Sequence, residues 1–407
     1  MEYAKFDPGA RRLPKPKVSA LPTLGLRSLK PGASAIKGLM RTPGIRFYSR
    51  SRYALTDAYR LSGVGANTAL LAPAYHCRTM LDPAIALGAE IALYPLLPDL
   101  APDLDGLMSC IAGSRNRIAA LLVTHYFGFP QPLEALLAIC KEHDIALIED
   151  CSHCLIAQPE SSKLGRQGIY SVWSPYKFFP CEDGGVLWAN RNAALPVDKA
   201  RTPSIRQELK GWARVLQRIT AGGSSLDANT LEADIDNLPD TSSAVSDDIL
   251  QSSNAPSEQY DAAFEGEESL AGSRWIMRHT NVERVTELRR KNYLQWTRSV
   301  SGLPHCHALF PTLPVGCAPY MFPLVVEHPE VHFIALKYLG FTEWRWDNMA
   351  VSSCAVAMSY RLKLLQLPCH QELTSGQMAW MTSAMAKVLT RLPTRSIRDA
   401  TTQSIKS

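Results

Sequence analysis

The chain has 407 residues, a formal net charge of +5, 46% hydrophobic and 20% charged residues. That is enough chain for a sizeable core in two lobes, with the balance of an ordinary globular protein. No apolar run approaches the ~20 residues of a membrane span, and the mild basic excess, gathered largely in the first 46 residues, gives no reason to expect a nucleic-acid partner. The ten cysteines are scattered without a disulfide framework. With no secretory h-region after the charged N-terminus, a cytoplasmic location is expected.

Residues 1–46 are rich in Pro, Lys and Arg and lack clear periodicity. They predict an extended arm packed on the body or on a partner subunit. From Ser51 to Leu61, apolar residues at Tyr53, Ala54, Ala58 and Leu61 predict an amphipathic helix. Just before it, the amides and arginines of Tyr48-Ser49-Arg50-Ser51-Arg52 could hold a phosphate at the helix N-terminus; the plainer reading is a capped helix start. A strand–helix alternation follows. Strands are predicted over 68–72, 90–94, 118–124, 145–148, 169–173 and 186–189, and helices over 79–87, 104–111 and 132–143. This alternation implies a mainly parallel sheet sandwiched by helices. Right-handed crossovers would gather Tyr75, His125, Asp150 and Lys177 on one sheet edge.

After Asn190 the pattern weakens. A helix is predicted over 207–219, and 221–269 is Ser/Asp/Glu-rich, read as a solvated, mobile or partly helical insertion. One long charged helix over 275–296, a strand over 320–327 and helices over 331–339 and 374–389 predict a smaller C-terminal α+β lobe. The expected domains are an arm (1–46), a large domain (47–200), an irregular insertion (201–270) and a small domain (271–407).

The chemistry concentrates between Ile145 and Trp188. Glu149-Asp150 closes one strand, and Lys177 follows the next by a few residues. An acid at a strand C-terminus lies where open α/β sheets bind ligands. Pyridoxal phosphate demands a Schiff-base lysine, a carboxylate for the pyridine nitrogen and donors for the phosphate. Lys177, Asp150 and backbone amides with Ser174 could supply them, and Gly184-Gly185 would let the backbone run close to the lysine loop. A surface salt bridge is the bland alternative for the Asp–Lys pair.

The motifs, in order, resemble the DegT-type sugar-nucleotide aminotransferase family of fold-type I. Ser51-Arg52-Tyr53-Ala54-Leu55 resembles its phosphate-binding turn, Leu71-Ala72-Pro73-Ala74-Tyr75 a strand end, and Gly88-Ala89-Glu90 the start of the next strand. His125-Tyr126-Phe127-Gly128, Ile148-Glu149-Asp150-Cys151-Ser152-His153, and Ser174-Pro175-Tyr176-Lys177 with Gly184-Gly185 resemble the central signatures. Leu367-Pro368-Cys369-His370 is similar to its C-terminal motif. The likeness is good over 50–190, thin over 275–390 and absent over 190–270. It implies Lys177 as the cofactor-bonded lysine, Asp150 as pyridinium partner and His153 beside the ring oxygen. Ser174 is implied as the phosphate serine, with Ser171 in competition. Where the family has Gly-Thr this chain has Ser51-Arg52, so the phosphate cradle would use an arginine. The ring-stacking position falls in Tyr75-His76-Cys77, on Cys77 by strict register, with Tyr75 or His76 as substitutes. The resemblance further implies a homodimer, glutamate as amino donor and a nucleotide-linked keto-sugar as acceptor. The alternatives are a catalytically silent or regulatory homologue, or a pyridoxal phosphate enzyme of another reaction type.

No metal is expected. Cys151-Ser152-His153-Cys154 is a lone C-x-x-C, and His305-Cys306-His307, its nearest complement in composition, is distant in sequence. Trp344-Arg345-Trp346 reads as packing rather than a substrate wall, and Gly63-Val64-Gly65 as a loop rather than a dinucleotide fingerprint.

Overall fold

The computed structural model describes residues 1–7, 12–25, 27–29, 42–157, 162–190, 193–198, 200–221, 226, 230–239 and 248–391. Its strands in chain order are β1 (Glu2–Lys5), β2 (Ile45–Tyr48), β3 (Thr68–Pro73), β4 (Glu90–Tyr94), β5 (Arg117–Thr124), β6 (Ala146–Cys151) and β7 (Tyr170–Trp173). Then come β8 (Gly185–Ala189), β9 (Ile249–Ser252), β10 (Cys306–Ala308), β11 (Met321–Val326), β12 (Asn348–Ala350) and β13 (Leu364–Pro368). Seven of them form one sheet in the order β2-β8-β7-β6-β5-β3-β4. Strands β7, β6, β5, β3 and β4 are parallel. Strand β8 reverses against β7, and β2 reverses against β8. This is the expected mainly parallel α/β architecture.

Both faces of the sheet are covered, which is why β5 reads as an unbroken apolar run, buried from Ile118 to Thr124. Strand alternation sends Leu121, Val123 and Leu147 into one core and Leu122, Ile148 and Val172 into the other. The helix Ser51–Leu61 has the predicted bounds. It belongs to the second core through Tyr53, Ala54, Leu55 and Ala58, and the Tyr48 hydroxyl donates to its Asp57 at 2.7 Å.

Other regions differ from expectation. The predicted helix over 275–296 is two helices, Ala271–His279 and Val282–Val300. Thr280 is extended, and Asn281 starts the second helix by accepting from the Arg284 N–H, a cap that contributes about 1 kcal/mol. The N-terminal arm begins as a strand, with β1 between β9 and β12 in a small antiparallel sheet. The acidic stretch is more than a solvated surface. Its helix Thr230–Asp236 buries Leu231 and Ile235. Ser257 bonds Asp82 through its amide and hydroxyl at 2.9 and 2.6 Å, and Tyr260 meets the Thr56 hydroxyl at 2.9 Å.

The C-terminal region builds an antiparallel sheet, β10-β11-β13. Its last helix, Ser375–Arg391, starts with a reciprocal cap between Thr374 and Gln377. Among the described residues, no helix is long and apolar enough to cross a membrane.

Candidate active site

Asp150 lies near the C-terminal end of β6, and Lys177 closes the single turn Pro175–Lys177 after β7. Both line one cleft, together with Arg50, Ser51, Arg52, Cys77, His153 and Trp346. The Asp150 side chain is 3% exposed, and its Oδ1 accepts from the Ser152 N–H at 2.9 Å. The ion pairs among the described residues include neither Asp150 nor Lys177, so the surface salt bridge is not what joins them. Lys177 Nζ lies 5.1 Å from the centre of the Tyr320 ring.

The helix Ser51–Leu61 presents its start to this cleft. Arg50, its N-cap residue, gives no side-chain cap, and the first turn holds no acid, so its leading amides and positive dipole end face the space. The plain capped start is therefore not what forms. Ser51 Oγ meets Ser174 Oγ at 3.3 Å. Ser171, the competing serine, is taken by the Trp173 indole at 3.0 Å. The close approach depends on Gly185: a Cβ there would lie 2.3 Å from the Arg50 carbonyl carbon and 2.4 Å from the Ser51 nitrogen. The Arg50 guanidinium turns to the Glu182 carbonyl at 2.8 Å, while Arg52 lines both the cleft and the larger groove beside it. Hydroxyls, amides and a guanidinium around one point can hold a phosphate.

His153 owes its state to a strained turn. Phe127 takes φ 56°, and Gly128 takes φ 96°, where a Cβ would lie 2.8 Å from the Ala318 carbonyl oxygen. Such a non-glycine conformation costs about 1–3 kcal/mol. It brings the Phe127 N–H to His153 Nδ1 at 3.2 Å, which puts the ring proton on Nε2. Burial, and then the Lys177 charge, hold the imidazole well below its ordinary pKa. His153 is thus a neutral donor, flanked by Phe127 and by Tyr320, whose ring centre is 4.5 Å away.

The expectation for Tyr75 needs correcting. Its side chain does not line the cleft. It is fully buried, packed against Tyr126 and against Trp346 at 4.9 Å. His76 is equally withdrawn, its Nδ1 on the Pro73 and Ala74 carbonyls and its Nε2 accepting from the Ala350 N–H. Cys77 is the residue of that trio in the cleft. Trp346, read from sequence as packing, lines the cleft from the C-terminal region, whereas Arg345 does pack, between Phe6 and Phe333. Tyr320 was not singled out as a site residue, since it opens an ordinary apolar strand run. Its buried hydroxyl has no hydrogen-bond partner among the described residues.

Two buried groups hold the frame. Arg289 bonds the Lys177 carbonyl at 2.8 Å, the Pro319 and Tyr320 carbonyls at 3.1 and 3.0 Å, and Gln371 at 2.9 Å. It ties the lysine turn to β11, and burial lowers its pKa to about 10. His125 lies under the sheet edge rather than in the cleft, its Nε2 donating to Glu149 at 3.0 Å and its Nδ1 accepting from the Gln131 N–H.

Residues 49–207 match the model of the DegT/DnrJ/EryC1/StrS aminotransferase family. Over this segment the chain is similar to that family, and the chain spans well under half the length of the curated relative it matches. Its relatives include an L-glutamine:scyllo-inosose aminotransferase from Streptomyces griseus, 28% identical over 172 residues. That match covers 41% of this chain and 38% of the relative's own length. Solved structures extend the likeness to the whole fold. An aminotransferase TlmJ from Streptoalloteichus hindustanus superposes with a TM-score of 0.61 at 18% identity, covering 91% of this chain and 98% of that one. PseC of Helicobacter pylori, an aminotransferase involved in pseudoaminic acid biosynthesis, gives 0.60 at 14% identity, covering 95% and 100%. The matched segment contains every residue that lines the cleft except Trp346.

Proposed function

We propose that the chain is a pyridoxal phosphate-dependent aminotransferase acting on a keto-sugar. The observation that carries this reading is the pairing, in one cleft, of a buried carboxylate and a lysine that among the described residues have no ion-pair partner, beside an uncapped helix start. The donor set fits the cofactor. Ser51, Arg52, Ser174 and the leading amides of Ser51–Leu61 would hold its phosphate. Asp150 would face the pyridine nitrogen, and the orphaned Tyr320 hydroxyl and His153 Nε2 offer hydrogen bonds nearby. When bound, the group supplies an aldehyde for amines and a ring that accepts electron density.

The protein's own contribution follows from the surroundings. Asp150, anchored by the Ser152 amide, would hold a proton on the pyridine nitrogen. Lys177, steadied through its carbonyl by Arg289, would hold the cofactor and move a proton at the reacting carbon. Trp346 walls the space, and the centre of the Tyr320 ring lies 5.1 Å from Lys177 Nζ.

Glutamate is the expected donor. Glutamine is the second reading, supported by the name of the Streptomyces griseus relative, whose acceptor is a scyllo-inosose. A nucleotide-linked acceptor would use the larger groove lined by Lys210, Arg214 and Gln259. The reading includes a homodimer: Ile205, Leu209, Leu216 and Ile219 form an exposed apolar stripe on the helix Ile205–Ala221 beside that groove. Sedimentation at micromolar protein tests it; a monomer would refute the dimer alone.

The functional test incubates the loaded protein with glutamate or glutamine and a panel of free and nucleotide-linked keto-sugars. Formation of an amino-sugar with stoichiometric loss of donor is expected. A protein that binds the cofactor but converts none of the panel would refute the keto-sugar reading.

A further inference from the structure

A second cluster of chemistry stands at the other end of β11. Tyr320 precedes this strand beside Lys177, and Glu327 follows it, roughly 20 Å away at the rise of an extended chain. At that far end, donor atoms of His305, Glu327 and His328 all lie within 4.8 Å of one another. His328 and His332 are four residues apart at the start of the helix Pro329–Tyr338, the i,i+4 spacing that puts two imidazoles on one face.

His332 makes the cluster more than a surface coincidence. It is fully buried, and neither ring nitrogen has a hydrogen-bond partner among the described residues. A buried, unsatisfied polar side chain calls for an explanation. Its ring centre lies 5.9 Å from that of His305 and 6.1 Å from that of His328, which are 5.3 Å apart. Imidazoles bound through nitrogen at ~2.0–2.1 Å to one tetrahedral ion have centres roughly 5–6 Å apart. His305 reaches the cluster from a left-handed backbone, φ 60°, uncommon for residues other than glycine. Glu330 meets His328 Nδ1 at 3.4 Å, leaving Nε2 for a ligand, the carboxylate–histidine arrangement of metal sites.

We propose that His305, Glu327, His328 and His332 form a transition-metal site of the zinc class, clipping together the start of β10, the end of β11 and the helix Pro329–Tyr338. Three imidazoles and one carboxylate are a donor set suited to zinc. The other cluster with metal-ligand composition, His125, Glu149 and Cys151, is a contrast. There both His125 nitrogens and both Glu149 oxygens are already hydrogen-bonded within the protein. The cysteines Cys151 and Cys154 do not complete the His305 site, which is built from oxygen and nitrogen donors alone.

The test is equilibrium dialysis of untagged, cofactor-loaded full chain against zinc, with bound metal counted per chain and thermal unfolding followed in parallel. One equivalent per chain and a rise in melting temperature are expected. His305→Ala and His328→Ala, both at partly exposed positions, should each weaken binding at least about tenfold and abolish the melting shift. His307→Ala, exposed on β10, should bind as the parent does. X-ray absorption of the bound zinc should give nitrogen and oxygen neighbours without sulfur. No zinc uptake, a sulfur shell, or binding indifferent to His305→Ala and His328→Ala would overturn the proposal.

Discussion

Glu149 and Asp150 are consecutive on β6, both buried and both acidic, yet their surroundings differ in kind. Glu149 is saturated: Oε1 accepts from the Gln167 and Gly168 amides at 2.7 Å each, and Oε2 from the Gly165 amide at 2.8 Å and His125 at 3.0 Å. Burial alone would raise its pKa, but the hydrogen bond from His125, then the Gly168 and Gln167 amides, outweigh it and hold the carboxyl below its ordinary value. Asp150 receives one amide from Ser152, and otherwise faces the cleft. A carboxylate whose every lone-pair direction is used by the protein holds the fold together. One left incompletely satisfied at a cleft is held for something else.

The comparison is sharpened by exchanging each acid for its amide. Asp150→Asn should leave the urea midpoint nearly unchanged and lower turnover about 10²–10³-fold, the scale of removing one preorganised charge. Equal activity in the variant would break the contrast from one side. Glu149→Gln should do the reverse, retaining cofactor binding in the folded fraction but losing about 3 kcal/mol of stability, since an amide nitrogen would face N–H donors.

The sign of the pH effect follows from the lowered pKa. A carboxyl depressed on folding adds stability above the unfolded value of about 4.3, and that stability is lost as pH falls through the folded value. Urea midpoints at pH 7 and near pH 4 should therefore differ less in Glu149→Gln than in the parent. Arg289→Met tests the clamp between the two regions. It strips four hydrogen bonds from buried partners, so about 2–3 kcal/mol of stability should go, with turnover falling as the Lys177 turn loosens. The smallest expected effect is that of Trp346→Ala, an increase in acceptor KM of about tenfold with little change in kcat.

How far the sequence carried this account depends on the range of the forces involved. The strands β3 to β8 and the helix Ser51–Leu61 were legible because each is specified by its own period and bounded by its own turn residues. The Asp150–Lys177 pairing was legible because a parallel sheet delivers strand ends to one edge, whatever their separation in the chain. Tyr75 was misread because register places it beside Cys77 in sequence, whereas the Tyr126 hydroxyl, holding the Tyr75 carbonyl at 2.6 Å, marks a chain turned into the core. Trp346 reads as packing because nothing local says which distant residue of the chain comes to line the cleft. The break between the two helices before Val300 did leave a signal, Asn281, but a continuous charged pattern outweighed it in the reading. Nor did the sequence bring His305 and His328 together, since their meeting depends on β10 pairing with β11.

The most direct test of the central claim is borohydride reduction of the protein mixed with pyridoxal phosphate, followed by peptide mapping. A single pyridoxyl adduct on Lys177, absent from Lys177→Ala and strongly reduced in Asp150→Asn, is the predicted result. No adduct, or one spread over surface lysines and unchanged by Lys177→Ala, would contradict it.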